Sequence, residues 1–378
     1  MKKNLTTAAI CTGLLLGGPL VTIVSASDSV TGTANQLTFN KYLVMKEQAN
    51  VPNATFDFTI TPVDADNIVD SNDTQLSVLK GIPGATISSA SFTPESTSYT
   101  TVQEGDESVT LANNQKYAKS EVTVDFSQVT FNEPGVYRYK ITEQATNEPG
   151  MTNDENPDRY LDVFVTSDDD GNLTIANTIL HTNNDAVLTD GSNPEGKPDS
   201  YTNIYQTYDL ALSKTVTGNQ AYRQQYFPFT VTISQADPLV KYDITNVDAS
   251  VTIDGTSYSN PVSITTDENG EATFTLYLKH GQCASINGLT ATTTYSITEE
   301  QRDYTASIVI NDGDTINDVA TSSQTITTDT TVAYTNERNG IIPTGVVMNN
   351  GPILAIMGIA LAGCAVLIFA TRTKKDND

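Results

Sequence analysis

Three polar residues recur twice along this chain, in the same order, each set into the apolar face of a strand-like segment. On a strand, residues two apart share a face. In Leu37-Thr-Phe-Asn-Lys41-Tyr-Leu43, Lys41 stands in line with Leu37, Phe39 and Leu43. In Leu210-Ala-Leu-Ser-Lys214-Thr-Val216, Lys214 stands in line with Leu210, Leu212 and Val216. A second pair of segments, Tyr137-Arg-Tyr-Lys-Ile-Thr-Glu143 and Tyr295-Ser-Ile-Thr-Glu299, puts Glu143 and Glu299 on the faces of their tyrosines and isoleucines. Glu300 falls on the opposite face. The third pair sets Asn203 between Tyr201 and Tyr205, and Asn336 behind Val332 and Tyr334.

A lone lysine in a strand is ordinarily solvated, and a lone glutamate after Ile-Thr ordinarily ends one. Two complete Lys…Glu…Asn sets on core faces predict something else. Burying an ammonium and a carboxylate costs several kcal/mol each, roughly, unless they pair or neutralise. Desolvation lowers the lysine pKa and raises that of the glutamate, toward two neutral groups. A neutral amine beside a carboxamide is a nucleophile. A protonated carboxyl beside both can polarise the amide and pass a proton to departing ammonia. The pattern therefore predicts isopeptide bonds from Lys41 to Asn203 and from Lys214 to Asn336, promoted by Glu143 and Glu299. The alternative is a buried, hydrogen-bonded salt bridge with no bond formed.

The body between the chain ends reads as all-β. Thr55 to Ile60, Ser120 to Phe126, Tyr160 to Thr166 and Ala272 to Leu278 alternate apolar and polar residues and are rich in Thr, Val, Ile and Tyr. Asp170-Gly171 and Asn269-Gly270 read as hairpin turns. Regularly spaced short strands with no long 3.6-residue period predict β-sandwiches. Acidic residues outnumber basic ones 45 to 20, a net charge of −25 that repels nucleic acid. Two histidines and three cysteines leave little for a metal centre or a His-based catalyst, and no cofactor is expected. His181 and His280 read as turn residues, and no hydrolase motif accompanies them. The Asp168-Asp169-Asp170-Gly171 run lacks the spaced ligands of a calcium loop.

The ends predict export. Lys2 and Lys3 precede an apolar run, Ala8 to Val24, closed by Ser25-Ala26, which reads as a signal peptide over 1–26 rather than a membrane anchor. The five-mer Ile341-Ile342-Pro343-Thr344-Gly345 precedes an uncharged stretch, Ile353 to Ala370, and a basic tail holding Arg372, Lys374 and Lys375. That order reads as a sortase sorting signal over 339–378, with cleavage between Thr344 and Gly345, a transmembrane segment and a cytoplasmic tail. Ile341 and Ile342 depart from the usual L-P-x-T-G. Cys11 and Cys364 lie in the segments removed, so Cys283 stays alone and carries no assigned role.

The central segment Val124-Asp-Phe-Ser-Gln-Val-Thr-Phe-Asn-Glu-Pro-Gly-Val-Tyr-Arg-Tyr-Lys-Ile-Thr-Glu143 completes a resemblance. Together with the first-strand lysine, the last-strand asparagine, the second sandwich and the P-T-G anchor, it resembles the FctA or T-antigen type of Gram-positive major pilin. The resemblance implies two immunoglobulin-like, CnaB-type sandwiches over 27–205 and 206–338, with the six residues above in isopeptide roles. It implies a structural backbone subunit rather than an enzyme, joined covalently to further copies by a pilin-specific sortase. Its surroundings would be a cell-wall-anchored surface pilus, peptidoglycan, minor or tip pilins and a host surface. In such pilins the accepting lysine lies just before the last strand of the first domain. Here that stretch is Pro194-Glu-Gly-Lys197-Pro, and no other lysine lies between Lys140 and Lys214. The competing expectation is a monomeric, sortase-anchored adhesin with a ligand site and no polymer.

Overall fold

A computed structural model describes residues 35–64, 68–69, 75–182 and 200–340. The signal peptide, Lys197, Thr344, Gly345 and the apolar stretch of the sorting segment lie outside the described residues. Within them the chain is all-β. The main strands of the first half are β1 Gln36–Lys46, β2 Phe58–Pro62, β3 Gln115–Asp125, β4 Gly135–Glu143, β5 Asp158–Ser167, β6 Leu173–His181 and β7 Ser200–Tyr205. Those of the second half are β8 Thr207–Thr217, β9 Phe227–Ser234, β10 Lys241–Thr245, β11 Ala272–Leu278, β12 Gln282–Thr290, β13 Thr294–Glu299, β14 Thr305–Ile310 and β15 Thr330–Glu337.

Each half is a two-sheet sandwich. In the first, β7-β1-β3 faces β6-β5-β4-β2; in the second, β10-β12-β8-β15-β14 faces β11-β9-β13. The strand alternation explains the cores. Leu37, Phe39 and Leu43 of β1 meet Tyr139 and Ile141 of β4 in one apolar cluster. Leu210, Leu212 and Val216 of β8 meet Phe229 and Ile297 in another. Sequence and structure agree on tandem β-sandwiches.

The feature that positions the site is the same in both. The first strand of each sandwich pairs in parallel with the last, β1 with β7 and β8 with β15. Lys41 stands opposite Tyr201 and Leu43 opposite Asn203. Lys214 stands opposite Tyr334 and Val216 opposite Asn336. The lysine and the asparagine are thus diagonal neighbours on one inward face, within reach of long side chains. Gln206 alone separates β7 from β8. Across the junction, Lys46 Nζ lies 2.8 Å from Asp329 Oδ1, and Tyr205 donates its hydroxyl proton to Asp237.

Two local readings of the sequence are corrected. Asn269-Gly270 makes a turn but joins no paired strands: the strand before it, Ser263–Thr265, pairs with β10, while β11 after it pairs with β9. Asp267 accepts from the Asn269 and Glu271 amides, and Gly270, at φ 73°, lies against the Ala236 backbone where a Cβ would meet the carbonyl oxygen. His181 ends β6 rather than occupying a turn, and it is buried. Its Nε2 lies 3.0 Å from Asp162 Oδ2, and Asp162 is held in a two-pronged pair by Arg138 at 2.6 and 2.7 Å. A buried arginine needs that bidentate acceptor to offset its desolvation.

Candidate isopeptide sites

β1 carries Lys41 and β7 carries Asn203 on one sheet, and the final residue of β4, Glu143, reaches them from the other sheet. Lys41 and Asn203 are fully buried and Glu143 is 4% exposed, so all three are cut off from bulk water. Lys41 Nζ lies 2.8 Å from Glu143 Oε2 and donates to Asn203 Oδ1 at 2.6 Å. The second sandwich repeats the placement with β8, β15 and the last residue of β13. Lys214 Nζ lies 2.5 Å from Glu299 Oε1, and the same oxygen accepts from Asn336 Nδ2 at 3.0 Å. Lys214, Glu299 and Asn336 are also buried. Glu300, assigned by the alternation to the outer face, is exposed.

Burial controls the protonation of both pairs. Desolvation lowers the Lys41 amine to about 8, against the pull of the Glu143 charge, and lowers Lys214 to about 8 against that of Glu299. The same cause raises both carboxyls above their ordinary range. The two groups of each pair are thereby moved toward the neutral amine and neutral acid that acyl transfer needs.

Aromatic residues enclose both amines, and the sequence shows them as a second repeat. Lys41 Nζ sits 4.8 Å from the centre of the Phe56 ring, and Lys214 Nζ sits 4.5 Å from that of Phe227. Phe58 and Phe229, two residues on, pack edge-on against Tyr201 and Tyr334 with ring centres 5.1 Å apart in both cases. Tyr201 and Tyr334 donate across the sandwich to the carbonyls of Ile141 and Ile297, each two residues before the glutamate. The doubled Phe-x-Phe and Tyr-Thr-Asn spacings are the signal available in the sequence. Reading these residues as core alone misses that they wall off the amine and tie its two sheets together. Asp154 and Arg159, beside the first site only, have no counterpart in the repeat and no signal in the alternation.

Residues 37–206 match the family described as the Spy0128-like isopeptide containing domain (FctA), and residues 208–338 match a domain of unknown function (DUF7601). The chain is 26% identical over 370 residues to a protein named Pilin from Streptococcus pyogenes serotype M1, covering 95% of this chain and 97% of that one. It is 31% identical over 140 residues to the pilus tip adhesin Cpa of Streptococcus pyogenes, covering 37% of this chain and 18% of that one. The fold is shared with the crystal structure of the major pilin from Streptococcus pyogenes, with a TM-score of 0.52 at 22% identity, over 81% of this chain and 99% of that one. The chain is thus similar along nearly its whole length to a streptococcal pilin, and its residues 37–206 match the Spy0128-like isopeptide containing domain.

Proposed function

We propose that this chain is the backbone subunit of a covalent, sortase-assembled surface pilus, made durable by Lys41–Asn203 and Lys214–Asn336 isopeptide bonds. The observation that carries the reading is the doubled Lys–Glu–Asn cluster, sealed in apolar surroundings at the seam between first and last strands. A bond at that seam closes each sandwich on itself, which suits a subunit that must bear load and has no disulfide among its described residues.

The chemistry follows from the contacts. The neutral lysine amine attacks the asparagine Cγ, and Oδ1 takes up the displaced electron pair. The amine loses one proton, which the glutamate relays to Nδ2. Collapse of the intermediate breaks Cγ–Nδ2 and releases ammonia, leaving one new Nζ–Cγ bond. Glu143 and Glu299 carry the proton in each site, and the glutamate is regenerated.

The protonation states set the pH dependence. The reactive form, neutral amine with neutral acid, holds as many protons as the ion pair, so the rate is level while the pair keeps one shared proton. Adding a proton blocks the amine, and removing one takes away the acid. Bond formation in newly made chain, followed by ammonia loss, is expected to give a bell whose alkaline limb falls at about 8. A rate that rises to about pH 8 and then stays level, with no alkaline fall, would point to simple amine attack without the carboxyl.

Assembly itself would join Thr344 of one copy to Lys197 of the next, with the sortase thiol cutting before Gly345. Lys197→Ala is expected to abolish the ladder of multimers on denaturing gels of cells expressing the chain and its sortase. A ladder that persists moves the linkage to another lysine. A wild-type chain that never forms one favours the monomeric, wall-anchored adhesin.

A further inference from the structure

The two sites are not equivalent around the amide oxygen, where negative charge collects during acyl transfer. Asn203 Oδ1 accepts a second hydrogen bond, from the backbone N–H of Asp154 at 2.9 Å. Asn336 Oδ1 has no hydrogen-bond partner among the described residues. The connection that follows the glutamate differs between the sandwiches. Residues 144–157 join β4 to β5, its neighbour in the same sheet, and bring Asp154 onto the site, whereas the shorter 300–304 joins β13 to β14 in the opposite sheet.

The donor in the longer loop is fixed from several sides. The Asp154 carboxylate accepts from the Thr202 amide at 2.8 Å and from the Asn156 amide at 2.8 Å. Arg159 Nη2 lies 3.3 Å from both Asp154 oxygens, and its guanidinium stacks 4.6 Å from the centre of the Tyr201 ring. Arg159 also donates to the Ser200 carbonyl, so it ties the loop to the strand that carries Asn203. Both side chains of the pair are less than 10% exposed.

We propose that the backbone N–H of Asp154 is the oxyanion donor for the first-domain condensation, and that Arg159 is the positioning residue that fixes it. The inference rests on the isopeptide reading above and adds a catalytic group that the second domain lacks. As Lys41 Nζ bonds to Cγ, the carbonyl electron pair moves onto Oδ1, where a preset donor in a dry site stabilises it without reorganisation. When the pair returns, Cγ–Nδ2 breaks and ammonia leaves with the proton relayed by Glu143. Removing one such donor typically slows acyl transfer by about 100-fold or more.

The test is a time course on the full exported chain made in a cell-free system and quenched in acid, with intact mass and a peptide map resolving the two bonds. Asp154→Pro, which deletes the N–H, is expected to slow the Lys41–Asn203 bond by roughly 100-fold. Asp154→Ala and Arg159→Gln, which keep the N–H but loosen it, are expected to slow it by roughly tenfold. The Lys214–Asn336 bond in the same molecules keeps its rate. Asp154→Ala moves the alkaline limb down and Arg159→Gln moves it up, because the Asp154 charge raises the Lys41 pKa and the Arg159 charge lowers it, yet both slow the level part of the profile; a purely electrostatic role would move that level in opposite directions in the two variants. Melting in a Lys41→Ala background, where that bond cannot form, separates any loss of folding. Should Asp154→Pro not fold, the Asp154→Ala rate decides. A wild-type rate in Asp154→Pro overturns the donor role, and wild-type rates in Asp154→Ala and Arg159→Gln overturn the positioning role, each while leaving the isopeptide reading intact. A wild-type chain that loses no ammonia overturns the reading beneath it.

Discussion

Intact mass spectrometry of the exported chain is expected to read two ammonia losses, about 17 Da each, below the sequence mass. Glu143→Ala restores one of them and Glu143→Ala with Glu299→Ala restores both, because each carboxyl serves its own sandwich. The effect on stability is large for single substitutions. The Lys41–Asn203 bond spans 162 residues and the Lys214–Asn336 bond, from position 214 to position 336, about 122. Closing loops of that size destabilises the unfolded chain by roughly 5 kcal/mol per bond. For a sandwich of this size that corresponds to a fall in Tm of roughly 10 to 20 °C when the bond is lost. Asn203→Ala reports the bond with less disturbance than Glu143→Ala, which also strands the buried Lys41 charge. A wild-type mass equal to that of the linear sequence would sink the claim and leave two buried ion pairs.

The second large effect is mechanical. Because β8 and β15 run parallel and side by side, tension entering at the start of β8 and leaving at the end of β15 shears the two strands past each other. With Lys214 joined to Asn336, that tension passes from one strand to the other through the bond, and the residues between carry none of it. Without the bond the hydrogen-bonded ladder must hold alone. Single molecules pulled between the Lys197 side chain and Thr344 are expected to show no lengthening from the 214–336 segment. Glu299→Ala is expected to add an unfolding step of roughly 40 nm, the extended length of that segment. Traces of Glu299→Ala identical to wild type would place the load elsewhere. In the first sandwich β1 pairs with β7 in the same parallel way, so the Lys41–Asn203 bond is expected to keep the strand leading into the second sandwich from peeling away.

Both effects depend on side-chain placements that are largely legible in the linear chain. The period-2 rule alone separates Glu299 from Glu300, and the structure buries the first and exposes the second. It also sets Lys41 and Lys214 among core residues, because a strand cannot turn one side chain outward while its neighbours two places away point in. The clusters are legible in the same way, since a polar residue on an apolar face needs a partner, and the chain offers two matched sets of partners. What escapes is whatever depends on contact between residues far apart with no repeat to flag them. His181 reads locally as a turn residue because its partners, Asp162 and Arg138, lie on neighbouring strands that only sheet pairing brings beside it. Asn269-Gly270 reads as a hairpin because a tight turn has the same local chemistry whether the next strand pairs or changes sheet.

The alternation of side chains thus determined, from the sequence alone, that the chain is all-β and which faces its six key residues occupy. That information is local, carried by neighbours two positions apart. The tertiary structure decided the parallel pairing of first and last strands, the two-residue offset that brings each lysine to its asparagine, and the loop that lays the Asp154 amide on one carboxamide and not the other. Those depend on register between strands far apart in the chain, which is fixed by the packing of whole sheets and by hydrogen-bond closure in the core, not by any stretch of sequence read on its own.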